Sequence, residues 1–250
     1  MRRGPARADV PAEPAVRPGV ITELTAVSRR PGRWDVVIDG RSVGRVSLDL
    51  VERLALRVGR DVDADLAGRL AAGVDEVAVF DRALGMLAAC ARSARDLRQR
   101  LVRVGASPAH ADAAIARLRE SGVLDDASYA RQVVRGRVAT RGDSRRRVSQ
   151  VLAQAGVART TADEAVADVF EEEAVDEVAL VEQAARKRLR TLGDLEVVVR
   201  RRRLFAYLAR RGHDAAVIRS VVDRLLGADA AGDTDLDDVD LPAGDVAIDA

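Results

Sequence analysis

Residues 144–170 read SRRRVSQVLAQAGVARTTADEAVADVF, and the fold follows from how that stretch is spaced. Leu152 stands four residues before Gly156, and Ala162, Val166 and Val169 follow the glycine at +6, +10 and +13. Steps of four and three place those side chains on one helical face, and a glycine just past a helix supplies the left-handed residue that ends it. The stretch therefore predicts helix, tight turn, helix. The same pattern occurs twice more, as Leu101 and Gly105 with Ala111, Ile115 and Leu118, and as Leu208 and Gly212 with Ile218, Val222 and Leu225. The glycines fall about fifty residues apart, at 105, 156 and 212. That interval leaves room for one further helix per copy and predicts a mainly α fold of tandem three-helix, helix-turn-helix-like repeats, elongated and curved.

Outward from the repeats, the amino-terminal part has a different period. Ile21, Leu24 and Val27, then Trp34, Val36 and Ile38, then Val43 and Val46 predict three short strands. Pro31-Gly32 carries the first turn and Asp39-Gly40 the second, the latter a strong two-residue hairpin signal. Ser47 is expected to cap a helix through Leu56 that Gly59 ends, and Asp63 or Asp65 to start a short helix before Gly73. The first repeat then opens with a helix near Val74–Arg92, recaps at Ser93 and starts its third helix at Ser107-Pro108, with proline at N1. The second begins at Leu124-Asp125-Asp126, recaps at Asp143 or Ser144, and resumes after Gly156 at Thr160 or Thr161. The third runs from Asp176, recaps at Asp194 and ends near Gly227. The resulting organisation is a disordered leader (1–18), a small β-rich region with short helices and an antiparallel sheet (19–73), three-helix repeats over 74–122, 123–173 and 174–228, and an acidic disordered tail (229–250).

The net charge of +1 conceals an asymmetry. Residues 83–228 hold 27 Arg and Lys against 19 Asp and Glu, a net of +8, whereas residues 229–250 hold eight aspartates and no base. A basic binding body with an acidic tail is implied. Either the tail shields that body or it only solubilises it. No apolar stretch approaches the roughly 20 residues of a membrane span, and the leader has four prolines and no apolar core, unlike a secretory signal. A single cysteine, Cys90, leaves no internal disulfide and fits a reducing cytoplasm.

Aligning the copies on their glycines puts an arginine ten residues before each one, Arg95, Arg146 and Arg202. In the last two copies it lies within a run, Arg145-Arg146-Arg147 and Arg200-Arg201-Arg202-Arg203. Four consecutive residues sweep about a full turn, so they cannot share one partner, and some should pair with acids such as Glu171 to Glu173. Those that stay free suit phosphate or carboxylate, which arginine grips through two parallel bonds. Arg135, Arg137 and Arg141 extend the same candidate surface, as do Arg186, Lys187, Arg188 and Arg190. Aromatic residues are only 2% of the chain, which disfavours recognition of single strands by stacking. Tyr129, Phe205 and Tyr207 are read as core, Cys90 as a buried small side chain, and Asp125-Asp126 as helix caps.

Four segments carry a resemblance to a known family. They are Ala83-Leu84 to Arg92-Ser93 with Asp96-Leu97, Leu101 and Gly105; Ser121-Gly122-Val123-Leu124-Asp125-Asp126 with Tyr129-Ala130; Arg141-Gly142 to Leu152-Ala153-Gln154-Ala155-Gly156-Val157; and Arg203 to Gly212. Together they resemble the RecX proteins, bacterial regulators of the RecA recombinase, over roughly residues 20–227. The resemblance implies a non-catalytic modulator that lies in the groove of the RecA filament on single-stranded DNA, bridging subunits and slowing ATP turnover and strand exchange. It thereby implies a role in recombination, DNA repair and the SOS response. The implied partner is the RecA filament, with weak sequence-independent DNA binding, a monomeric state, no cofactor and no metal. Most members have an aromatic residue where this chain has His213, so no role is assigned there. The surface expected to make contact comprises Arg95, Arg137, Arg141, Arg145, Arg146, Arg147, Lys187, Arg200, Arg201, Arg202 and Arg203.

Two other classes of protein fit the sequence less well. An enzyme is the weakest, because His110, His213 and Cys90 are scattered and neither a phosphate loop nor clustered metal ligands occur. A helix-turn-helix transcription regulator shares the helix, glycine turn, helix outline, but a regulator normally needs one reading head per protomer rather than three.

Overall fold

The computed structural model describes residues 16–28 and 30–227. Strands β1 (Gly19–Ala26), β2 (Arg33–Ile38) and β3 (Arg41–Ser47) form the expected antiparallel meander. Asp39 and Gly40 both adopt left-handed backbone, φ 48° and 73°, the turn whose twist matches that of its flanking strands. A fourth strand, β4 (Asp61–Val62), pairs with β1 and gives the order β3-β2-β1-β4. At two residues it is too short for periodicity to reveal. Ile21, Val36, Ile38 and Val46 point into the core, and Val16 joins them at 2% exposure. Residues 16–18 therefore belong to the fold rather than to the expected leader. The rest of that leader and the acidic tail lie outside the described residues.

Helix α1 (Leu48–Arg53) starts on Ser47, whose hydroxyl accepts from Leu50 N at 3.2 Å. It stops well short of the expected Gly59. The Arg60 guanidinium donates to the carbonyls of Leu54 and Ala55, taking groups that a longer helix would have used itself. Asp63 caps α2 (Ala64–Ala89) through Leu66 N at 2.8 Å. The expected break at Gly73 does not occur, and the two helices predicted on either side of it are one. Gly73 faces Leu50 so closely that a Cβ would stand 2.0 Å from Leu50 Cδ2. Close approach, not turning, is what requires glycine there.

The amino-terminal half of α2 packs Leu66, Ala67 and Leu70 onto the sheet. Further along, Asp81 accepts from Arg30 and from the buried Arg33, the latter at 3.0 Å. Phe80 lies beneath the guanidinium groups of Arg33 and Arg117, at 5.5 and 4.7 Å from its ring centre. Cys90, expected to be buried, closes α2 at an exposed position, because the helix ends there and its face is no longer covered. Helices α3 (Ala94–Arg103) and α4 (Pro108–Glu120) follow, capped by the hydroxyls of Ser93 and Ser107 through Asp96 N and His110 N, both at 3.1 Å.

The described residues divide into two compact units, one reaching from the sheet to Ala91 with Leu97–Val123, the other comprising Arg92–Asp96 and the residues from Leu124 onward. The second contains α5 (Asp126–Arg141), α6 (Arg145–Gln154), α7 (Arg159–Glu172), α8 (Glu177–Leu192), α9 (Val197–Arg210) and α10 (Ala215–Leu226). Asp125, Ser144, Asp176 and Asp214 cap four of them with their side chains. The other two differ from expectation. Helix α7 begins after Ala158, so Thr160 and Thr161 already sit in its first turn, and α9 begins after Glu196, leaving Asp194 outside.

One core in this unit joins Val134, Val148, Leu152, Val166, Val169 and Phe170, and another joins Val181, Ala185, Leu204, Phe205, Leu208, Ile218 and Val222. Leu101, Leu152 and Leu208, the leucines that define the repeat, are each fully buried. Replacing such a leucine by alanine costs about 2–5 kcal/mol, which is why the spacing holds where the intervening sequence drifts.

Candidate partner-binding interface

Gly105, Gly156 and Gly212 all have left-handed backbone, at φ 97°, 78° and 83°. Two of them also sit against another helix. In the second unit, a Cβ on Gly156 would stand 2.8 Å from Arg95 Cβ, and one on Gly212 would stand 2.6 Å from Ser144 Oγ and 3.2 Å from Arg147 N. The residue before each glycine accepts from the capping serine of the preceding copy: the Ser93 hydroxyl donates to the Ala155 carbonyl, and Ser144 N donates to the Arg211 carbonyl at 3.0 Å. The cap of one middle helix thus docks on the turn of the next copy. Around Gly105 a Cβ would meet nothing within 4 Å. The third copy has no successor, and the position corresponding to Ser93 and Ser144 is Arg200.

This register decides which arginines remain available. Arg95, Arg146 and Arg202 are all exposed, and none forms an ion pair among the described residues. Arg95 and Arg146 lie two positions beyond the docking serines Ser93 and Ser144, and Arg202 two beyond Arg200; the stem of Arg95 lies along Gly156. The neighbours of Arg146 are committed elsewhere. Arg145 lies 4.2 Å over the Phe170 ring and pairs with Glu177 at 3.0 Å. Arg147 is half-buried beside Gly212 and reaches Gln150 Oε1 at 3.4 Å.

Arg201, expected at the surface, is 4% exposed. It pairs with Asp223 and donates to the Gly227 carbonyl at 2.6 Å. A helix turns 100° per residue, so a run of four must send at least one member inward. Arg200 is half-buried, whereas Arg203 is exposed beside Arg202. Arg137 is likewise withdrawn from the expected surface by Asp143 at 2.9 Å. Arg141 and Lys187 are exposed, the lysine with its Nζ 3.3 Å from the Thr140 carbonyl. Of the acids expected to pair with the runs, Glu172 and Glu173 are taken by Arg135, at 2.7 Å and 3.2 Å.

Sequence reasoning missed a polar junction between the second and third copies. Asp143, 2% exposed, accepts from Arg137 and lies 3.7 Å from Arg211 Nη1. Arg211 donates to the Tyr207 hydroxyl at 2.7 Å and stacks 4.1 Å from its ring centre, while Arg188 lies 5.3 Å from the same ring. Tyr207 packs against the core of Val181, Leu204 and Ile218, as expected, and its hydroxyl and ring also hold Arg211. His213 is buried with Nε2 2.8 Å from the Gly142 carbonyl, and since a carbonyl only accepts, Nε2 carries the proton. Burial pushes the imidazole below its ordinary value, outweighing the bond to Gly142 and the carboxylates of Asp143 and Glu177. Only adjacency to a turn glycine could have marked these residues.

Asp125 acts as the expected cap, its carboxyl held below the usual range by the Ser128 hydroxyl and then by Ala127 N. Asp126 instead accepts from Ala94 N at 2.8 Å and so caps α3 from the neighbouring copy. Among the described residues, no helix is long and apolar enough to cross a membrane, and no group of three His, Cys, Asp or Glu is placed to hold a metal.

Three consecutive three-helix segments with interlocked turns define a tandem helical-repeat protein of the RecX type. Residues 80–118, 125–166 and 175–222 match in turn the first, second and third three-helix domains of RecX. A regulatory protein RecX of Halorhodospira halophila is 36% identical over 166 residues, covering 66% of this chain and 94% of that protein. One from Amycolatopsis mediterranei is 32% identical over 153 residues, covering 61% and 86% respectively. A crystal structure of regulatory protein RecX shares the fold, with a TM-score of 0.63 at 21% identity over 82% of this chain and 98% of that one. The chain belongs to the RecX family of regulatory proteins.

Proposed function

We propose that this chain is a non-catalytic modulator of the RecA recombinase, binding in the groove of the filament on single-stranded DNA and restraining ATP turnover and strand exchange. Through that restraint it regulates recombination, DNA repair and the SOS response. The observation that supports this most is the recurrence of one exposed, unpaired arginine, Arg95, Arg146 and Arg202, at the same register of three successive copies. A filament repeats its phosphates and carboxylates at fixed intervals, and a partner that repeats a bidentate cation can meet more than one interval at once. Nothing in the arrangement reads base edges, so any contact with DNA is sequence-independent and falls with salt.

The test is the full chain carrying Arg146→Glu, Arg202→Glu and Arg203→Glu, with the half-buried Arg147 left intact. Titrated into a recombinase ATPase assay on single-stranded DNA, it should inhibit with potency lowered at least about tenfold, since three lost or reversed contacts exceed about 1.4 kcal/mol together. Its melting curve should match the parent, because exposed substitutions stay within about 0.5 kcal/mol. Undiminished inhibition by this folded variant removes the face from the filament contact. A footprint at one defined duplex sequence would favour a transcription regulator instead.

A further inference from the structure

The residue after each turn glycine is buried in all three copies, as Ala106, Val157 and His213. Of these only His213 can take up a proton. Its turn meets the preceding copy residue by residue. Ser144 N donates to the Arg211 carbonyl at 3.0 Å, Gly212 lies against Ser144 and Arg147, and His213 Nε2–H donates to the Gly142 carbonyl at 2.8 Å. Gly142 is in turn pressed on α8, where a Cβ would stand 3.1 Å from Ala184 Cβ. The charged groups around the imidazole are already committed. Asp143, in the turn after α5, is held by Arg137 at 2.9 Å and lies 3.7 Å from Arg211 Nη1. Glu177, on α8, is paired with Arg145 of α6 at 3.0 Å. Arg211 comes from the same turn as His213, Arg147 of α6 borders Gly212, and Asp214 is spent on capping α10 through Ala216 N at 2.8 Å. Three guanidinium groups, those of Arg137, Arg211 and Arg145, thus answer the two carboxylates of Asp143 and Glu177. A proton on His213 would add a buried cation that neither carboxylate is free to meet.

We propose that His213 makes the seam between the second and third copies a proton-sensitive joint: neutral, it locks the turn Arg211–His213 onto Gly142–Ser144 and so fixes the separation of Arg146 and Arg202; protonated, it releases that turn. The consequence for binding rests on the reading of those two arginines as the partner contact. A partner that must meet both at once binds best when their spacing is set beforehand, so acidification weakens its hold. The sign follows from the surroundings of the ring. Burial first, and then the Arg211 charge, hold the docked imidazole below its ordinary value of 6.5, while release exposes the ring to water and returns it toward that value. The docked form therefore loses about tenfold in relative population for each pH unit below 6.5, until the docked imidazole itself is protonated. The seam between the first and second copies has Val157 at the corresponding position and lacks this sensitivity.

The test uses the full chain with Cys90→Ser and spin labels at Ala167→Cys on α7 and Ser220→Cys on α10, both exposed positions outside the seam. Pulsed electron spin resonance should give one narrow label separation at pH 8 and a second, broader one that is at least about tenfold more populated at pH 5. Retained helical circular dichroism at pH 5 separates release of the turn from unfolding. Two replacements that do not titrate, His213→Gln with an N–H for Gly142 and His213→Phe with the bulk of a ring, should keep one distribution at both pH values. An unchanged distribution in the parent, or a shift that persists in both replacements, overturns the proposal. In parallel, one recombinase preparation is assayed at each pH for inhibition of its ATPase by the parent and by His213→Gln, so that its own pH dependence cancels. The potency of the parent relative to the variant should fall at least about threefold from pH 8 to pH 6. A separation that responds to pH while this ratio stays constant leaves the joint standing and removes only Arg146 and Arg202 as a paired contact.

Discussion

Substituting alanine for the three turn glycines one at a time separates what the local turn requires from what repeat docking requires. All three have left-handed backbone, φ 97°, 78° and 83° at Gly105, Gly156 and Gly212, where an L-residue costs about 1–2 kcal/mol. Alanine also removes unfolded-state freedom worth about 0.4–1 kcal/mol, so the local cost alone is close to 1 kcal/mol. Gly105→Ala should show only that, because its Cβ meets nothing within 4 Å. At Gly212 the new Cβ stands 2.6 Å from Ser144 Oγ and 3.2 Å from Arg147 N, and a backbone atom cannot be rotated aside. Overpacking of this kind adds about 1–3 kcal/mol, for a total of about 2–4. Gly156→Ala meets Arg95 Cδ at 2.1 Å, on a flexible stem that moves cheaply, and Arg95 Cβ at 2.8 Å, which moves less, and should fall between the two. Urea unfolding followed by circular dichroism gives the comparison, with the two compact units fitted separately where their transitions part. Equal losses at all three glycines would refute the interlock and leave the turn geometry as their only role.

Within the run of four arginines, Arg201→Met should destabilise the chain by about 2 kcal/mol, discounted from the about 3–5 of a fully buried pair because Asp223 is 44% exposed, whereas Arg202→Met should stay within about 0.5 kcal/mol. Thermal melting of the two variants decides it, and equal melting points would return Arg201 to the surface. His213 binds protons less readily folded than unfolded, so its contribution is complete above the ordinary value of 6.5, declines as pH falls below it, and levels off below the depressed folded value. His213→Gln keeps an amide N–H for the Gly142 carbonyl and should flatten that part of the acid limb in urea midpoints taken from pH 8 to pH 5; parallel profiles would show that the acid limb does not come from His213.

Much of this chain is legible from local spacing. Leucine and glycine four apart with a following apolar face specify helix, turn, helix wherever they occur, because helical periodicity and left-handed backbone are properties of a few adjacent residues. Asp39-Gly40, Ser47, Ser107-Pro108 and Asp176 likewise announced their turns and caps, and the three leucines their burial. Where local signals conflict with distant ones, they mislead: Gly73 looked like a helix end and is a contact point for Leu50, and β4 needed β1 to exist at all.

The division among arginines is the clearest case. Sequence alone placed eleven basic residues on one candidate face, since charge and register are written in the chain. Tertiary structure alone took Arg201 inside to Asp223 and Gly227, set Arg137 on the buried Asp143, and laid Arg145 over Phe170. The physical reason is that an arginine's side chain finds its lowest free energy with whatever carboxylate, carbonyl or ring the fold brings near, and those partners come from other helices, tens of residues away along the chain.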